Sequence, residues 1–152
     1  MPAPILGLLE DNFLVGSWFT LELKRAKIEG ITDISGLAME VGVVDVQQAK
    51  LGGVMDARKR PGAAKYGEIT IKRDLTADKS LWKWAKDIRD GVPKFREAGA
   101  IVLYNIAGKE VGRWTFEHAW PSKWSASDLD VGSDDPVKEE VTLVVEMLRR
   151  DK

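Results

Sequence analysis

The sequence contains no cysteine and only one histidine, His118, in 152 residues. Without thiols there is no disulfide framework, no thiolate metal site and no cysteine nucleophile. One imidazole with nothing to join it leaves the usual zinc ligand sets incomplete. No apolar run approaches the roughly 20 residues of a helical bilayer span. Neither sign of charge dominates: 23 lysines and arginines against 24 aspartates and glutamates give a formal net charge of −1, which does not suit a chain built mainly to neutralise nucleic-acid phosphates. There is also no G-x-S-x-G elbow, no P-loop and no dinucleotide fingerprint. Nothing places two carboxylates across a cleft at the roughly 5–9 Å that glycoside hydrolysis uses. The start, MPAPILGLLEDN, has no basic region before its short apolar stretch, so a cleaved secretory signal is not expected. The lack of cysteine fits cytosol and exterior equally.

What is present has the balance of an ordinary globular protein, 44% hydrophobic and 31% charged, and the length fits a single domain over residues 1–152. In FLVGSWFTLEL, extension puts Phe13, Val15, Phe19, Leu21 and Leu23 on one side and Trp18, Thr20 and Glu22 on the other, the pattern of a half-buried strand. KIEGITDISGL reads as turn-rich. MEVGVVDVQQ reads as a second strand, with Gly42 at a bulge or close approach. The stretch AKLGGVMDARKRPGAAK is broken by Gly52, Gly53, Pro61 and Gly62 and reads as a long loop. Its basic run suits a solvated loop better than a phosphate site. YGEITIKRDLT alternates, with Ile69 and Ile71 opposed to Glu68, Thr70 and Lys72, and gives a third strand.

The good helix is TADKSLWKWAKDIRDG. Asp78 or Ser80 caps its start, Gly91 fits a left-handed C′ position and Pro93 stops it. Leu81, Trp84, Ala85 and Ile88 form one stripe, so Leu81, Trp84 and Ile88 are predicted core. Trp82 lies off the stripe's centre, on the side of Arg89. A hairpin with its turn at Ala107-Gly108-Lys109 follows, then an acidic linker, SASDLDVGSDDP. VKEEVTLVVEMLRR is rich in β-branched residues and reads as one final strand. About six strands and one helix make the class mainly β, an antiparallel sandwich or barrel with one α-helix.

The segment GRWTFEHAWPSKW carries three of the six tryptophans and the histidine. As a strand it places Trp114, Phe116, His118 and Trp120 on one face and Arg113, Thr115, Glu117 and Ala119 on the other. His118 and Glu117 then point apart and form no acid/base pair. Trp114, Phe116 and Trp120 are read as core in preference to a ligand platform, with Pro121 ending the strand and Trp124 folding back after a corner. A carbohydrate-binding surface on Trp114, Trp120 and Trp124 is the distant rival. Asp128, Asp130 and Glu139 match positions 1, 3 and 12 of a calcium loop, but Gly132, Ser133 and Pro136 break its register, so a solvated loop is expected. Neither a metal nor a cofactor is implied.

Taken in order, RPGAAKYGEITIKR, LWKWAKDIRDG and GRWTFEHAWPSKWSASDLD resemble the proline-glycine loop and strand, the single helix and the aromatic strand of the tail-tube family of contractile bacteriophages and phage-derived contractile injection systems. FTLEL and EEVTLVVEML stand where that family's first and last strands belong. The resemblance implies a ring-forming tail-tube fold. Homohexameric rings would stack into a tube for payload, with sheath subunits around it and baseplate and terminator proteins at its ends. It implies no enzymatic step and no membrane anchoring, with assembly in the bacterial cytoplasm and a place in a virion or released particle. A type VI secretion ring protein is the alternative within the same architecture. Under the resemblance, Leu51, Gly52, Gly53, Arg58, Lys59, Arg60, Pro61 and Gly62 are candidates for ring-to-ring contact. Glu68, Thr70, Lys72, Arg113, Thr115 and Glu117 are candidates for a hydrated channel wall, although alternation alone does not separate luminal from solvent faces.

Overall fold

A computed structural model describes residues 16–49 and 51–152. Phe13 and Val15 lie outside these. In chain order the described elements are β1 (Trp18–Leu23), β2 (Lys27–Ser35), β3 (Met39–Ala49), β4 (Met55–Tyr66), β5 (Ile69–Asp74), α1 (Ser80–Arg89), β6 (Glu97–Tyr104), β7 (Glu110–Ala126), β8 (Lys138–Val144) and β9 (Met147–Arg150). Hydrogen bonding runs β6-β1-β2-β5-β8-β7, and β6 also pairs with β7, which closes a six-stranded antiparallel barrel. β9 adds to β7 outside the closure, and β3 and β4 form a separate two-stranded sheet.

Period-2 alternation builds the wall. Ile69, Ile71 and Arg73 of β5 and Glu139, Val141 and Leu143 of β8 point inward and are buried. With Leu21, Ile28, Ile101 and Phe116 the apolar members make the core, which α1 enters with Leu81 and Trp84. The Trp84 ring nitrogen donates to the Phe95 carbonyl at 2.7 Å. Helix α1 ends in a Schellman arrangement: Gly91, at φ 72°, donates to the Ile88 carbonyl and Val92 donates to that of Asp87. Its start is held by the Asp78 carboxylate, which accepts from the Ser80 N–H and hydroxyl.

Five sequence readings are corrected. The turn-rich KIEGITDISGL is strand β2; Gly30, at φ 74°, inserts an irregularity, so Ile28 and Ile31 both face inward although three residues apart. A period-2 search cannot find such a strand. The long loop over 49–65 is instead the turn and second arm of the β3–β4 hairpin, with Gly52 and Gly53 at φ 95° and 78° in its turn. Pro61 is tolerated in β4 because, among the described residues, the ribbon has two free edges, and it faces Val43 across the Gly42 irregularity. The final strand is two, β8 and β9, divided at Val145 and Glu146. Strand β7 does not end at Pro121 but runs 17 residues to Ala126, shifting register between Pro121 and Lys123.

The fifth correction concerns His118. Its φ of 53° is left-handed, and the alternation of β7 changes phase there. His118 is exposed, Ala119 takes the buried position, and Trp120 is half-buried with its ring edge-on to Phe95 at 6.4 Å. Phe116 is fully buried and Trp114 packs partly buried on the core, but Trp120 and Ile88 are half-buried and lie outside the central cluster. Trp124 packs against that cluster in their stead.

Candidate assembly surface

The buried polar centre fixes the end of the barrel where α1 begins. Arg73 donates through Nε to Glu139 Oε2 at 2.8 Å, through Nη1 to Asp78 Oδ2 at 3.1 Å and through Nη2 to the Asp78 carbonyl at 3.2 Å. Trp124 Nε1 donates to the other Glu139 oxygen at 2.7 Å. The Ser80 hydroxyl, ahead of all other causes, holds the Asp78 carboxyl below its ordinary range; the Ser80 N–H and Arg73 assist, against an opposing effect of burial. The sequence signal for this network was the phase of Arg73 with Ile69 and Ile71, and of Glu139 with Val141 and Leu143. Because Glu139 faces inward onto Arg73, it is turned away from the loop that carries Asp128 and Asp130, and the calcium register loses its twelfth position as well.

Arg113 organises the outer face of β7, β6 and β1. From β7 it reaches across β6 to Glu22 on β1, with Nη1 3.1 Å from Oε2, and its Nε donates to Glu110 at 2.7 Å. Partial burial works against its charge, and the hydrogen bonds to Glu110 and Glu22 outweigh that, so its pKa stands above the ordinary value. Thr115 bonds Asp151 in the terminal segment beyond β9. On this same outer face Thr20 is 4% exposed and its hydroxyl is the one buried side-chain polar atom without a partner among the described residues.

The two sets of channel-wall candidates are not neighbours. Thr70 and Lys72 project outward from β5, beside Glu140 and Thr142 of β8, with Glu68 just ahead of the strand. Arg113 and Thr115 project outward from the part of β7 that pairs with β6, and Glu117 follows them toward β9. In the cyclic order β6-β1-β2-β5-β8-β7, β5 stands opposite β6. Arg113 and Thr115 are on β7, two places from β5 past β8, so the two sets lie on different strands of the barrel's outer surface.

Every ring-contact candidate lies in the hairpin. At about 3.3 Å per residue, its 11- and 12-residue arms span roughly 35–40 Å, and it has no extensive packing against another element. Leu51 at the tip is fully exposed, while Val43, Val54, Met39 and Met55 are each more than half exposed. Among the described residues, no strand occupies the outer edges of β3, β4 or β9. Such edges invite further pairing, and exposed apolar groups in this number mark an interaction surface. The three tryptophans of the carbohydrate reading are held by separate partners: Trp114 by the core, Trp120 by Phe95, and Trp124 by Glu139 and by Trp82 at 4.9 Å.

The sequence matches the family model described as T4-like virus tail tube protein gp19 over residues 15–149. The fold is similar to a chain of the PVC sheath-tube complex in the extended state, an extracellular contractile injection system, with a TM-score of 0.75 at 20% identity over 99% of this chain and 98% of that one. It is similar to a chain in the baseplate of the anti-feeding prophage, with a TM-score of 0.67 at 19% identity over 99% and 97%. It is also similar to Hcp1 from Flavobacterium johnsoniae, with a TM-score of 0.58 at 15% identity over 89% and 95%. No curated protein matches the sequence.

Proposed function

Because this chain belongs to the T4-like virus tail tube protein family, we propose that it is the inner-tube subunit of a contractile injection particle and that it acts by assembly. The family is a structural one, and the reading gives this chain no catalytic step. Six copies form a ring, rings stack into a hollow tube, a sheath surrounds the tube, and baseplate and terminator proteins meet its ends. Payload occupies the channel. The subunits assemble in the bacterial cytoplasm before the particle is released.

The observation that carries the reading is the family match over residues 15–149. The geometry supports it: the barrel is closed on itself, while among the described residues the β3–β4 ribbon and β9 present free edges. A sheet edge in water keeps unpaired N–H and C=O groups that a sister copy satisfies. The Thr70 and Lys72 side on β5 and the Arg113 and Thr115 side on β7 are the two candidates for the channel wall.

Negative-stain microscopy of the purified protein over a range of salt and concentration tests the proposal. Rings or hollow rods are expected, and monodisperse monomers under every condition would overturn it. The likeness to Hcp1 favours one second reading, a type VI secretion ring of the same architecture. Genes for a sheath, spike and tape measure beside this one select the contractile particle; genes for a membrane complex select the second reading.

A further inference from the structure

Where α1 begins, the barrel end carries a cleft that assembly by strand edges does not use. Its volume is about 350 Å³, and its walls include Leu75, Asp78, Trp82, Trp124 and Glu139. That is near the lower end of the roughly 300–1,000 Å³ typical of small-ligand sites, so it suits a group the size of one long side chain. Leu75 and Trp82 are 43% and 37% exposed. The Trp82 and Trp124 rings stand 4.9 Å apart with their planes inclined at 63°, which makes an aromatic corner. Arg89 lies 5.6 Å over the Trp82 ring but is not among the cleft's walls, so the corner stays open on its inner side.

Charge in this corner does not balance. The carboxylates of Asp78 and Glu139 share a single guanidinium, that of Arg73, which leaves one negative charge uncompensated by contact. Each Glu139 oxygen accepts one bond, from Trp124 Nε1 or from Arg73 Nε, and each has a lone pair for a second donor. The bonds from Ser80 and Arg73 that lower the Asp78 pKa keep that carboxylate ionised. Lys79 stands at the mouth, exposed and in no ion pair among the described residues. The neighbouring loop, closed at its base by the Ser127 N–H on the Lys138 carbonyl at 2.8 Å, adds Asp128, Asp130, Asp134 and Asp135 and no basic residue. Lys138 itself is taken by Asp74.

We propose that this corner binds an organic cation on a short apolar stem: a guanidinium or alkylammonium group whose charge faces Asp78 and Glu139 while its stem lies along Leu75, Trp82 and Trp124. Indole rings attract such cations through their quadrupole, more strongly where water is displaced. A carboxylate at the same place adds Coulomb attraction, which the protein surroundings screen less than water does. The chain already uses this combination internally, since Arg25 lies 5.5 Å over the Trp84 ring and bonds Glu97 and Asp87. A neutral ligand of the same shape gains only the stem contact, and an anion meets like charge. The site is built within one protomer, so it and the tube reading stand or fall separately.

Titration of the purified full-length protein with butylguanidinium, followed by tryptophan fluorescence and calorimetry, tests the site. Saturable binding, roughly millimolar, is expected, with butylurea, the uncharged isostere, at least tenfold weaker. Trp82→Ala, at a half-exposed helix position that leaves Leu81 and Trp84 in place, is expected to weaken binding about tenfold, and Trp82→Phe to recover part of the loss. Lys79→Gln removes the competing cation at the mouth and is expected to tighten binding about threefold, a gain that a misfolded variant does not give. A capped peptide whose one charge is an arginine reads the source of the cation: binding tighter than butylguanidinium places it on a polypeptide, and weaker binding places it on a free small molecule. No saturable binding by wild type, equal binding of butylurea, or affinity unchanged by both Trp82→Ala and Lys79→Gln would overturn the proposal.

Discussion

Arg73 on β5 and Glu139 on β8 are cross-strand partners whose side chains, 3% and 1% exposed, bond at 2.8 Å inside the barrel. A buried ion pair is weak evidence of net stabilisation, because both charges lose their water. Its clearer effect here is geometric: one guanidinium joins the barrel wall to the turn before α1, and one carboxylate also holds the Trp124 indole.

Removing one partner strands the other. Glu139→Ala is expected to destabilise the dissociated protomer by about 3–5 kcal/mol. Adding Arg73→Leu is expected to recover part of that loss. Urea unfolding of the double-mutant cycle measures the coupling, and strictly additive losses would show that the two groups act independently.

The Asp78 carboxyl titrates below its ordinary value in the folded protein, and the unfolded value is near 3.9. A depressed folded pKa contributes stability that is fully present above the unfolded value and is lost as pH falls through the folded one. The stability gap between wild type and Asp78→Asn is therefore expected to be constant near neutrality and to shrink below about pH 4. Chemical denaturation from pH 2 to 7 reads it; a gap that widens on acidification would contradict the assignment.

Trp84 combines complete burial with a hydrogen bond to the Phe95 carbonyl. Trp84→Ala is expected to cost about 3–5 kcal/mol. Trp84→Phe keeps most of the ring and forfeits the bond, so a loss nearer 1 kcal/mol from that bond is expected in addition to any repacking. Thermal and urea unfolding check both values. A melting shift near zero for the alanine variant would mean that this face of α1 is not core.

The two candidate walls can be told apart by labelling. Thr70→Cys and Thr115→Cys place single thiols on separate outward-facing strands, β5 and β7, in a chain that has none of its own. In isolated tubes, a maleimide carrying a polymer too large for the channel is expected to modify one position and spare the other. Equal, rapid labelling of both would contradict a channel walled by either set.

Regular alternation made β5, β8 and the inward set of Ile69, Ile71, Val141 and Leu143 legible, and the stripe containing Leu81 and Trp84 made α1 legible with its Gly91 terminus. Failures came where a residue broke the period: Gly30 hid β2, His118 changed the phase of β7 and moved Trp120 off the core, and the glycines and Pro61 disguised a long ribbon as a loop. The ribbon was also hard to read because neither of its faces is buried in the protomer, so the apolar and polar positions of Val43, Val44, Arg58 and Arg60 follow no inside-outside rule. Arg73 and Glu139 were in phase with the core, but their charge concealed them, since a pair buried together leaves no mark in either strand alone.

The central claim is that strand edges left open in the protomer are closed by other copies. Hydrogen exchange on assembled and dissociated protein tests it most directly. The outward-facing amides of β3, β4 and β9 are expected to gain strong protection on assembly while the barrel amides of β1, β5 and β8 change little. Equal exchange of the ribbon and β9 amides in the two states would contradict the account.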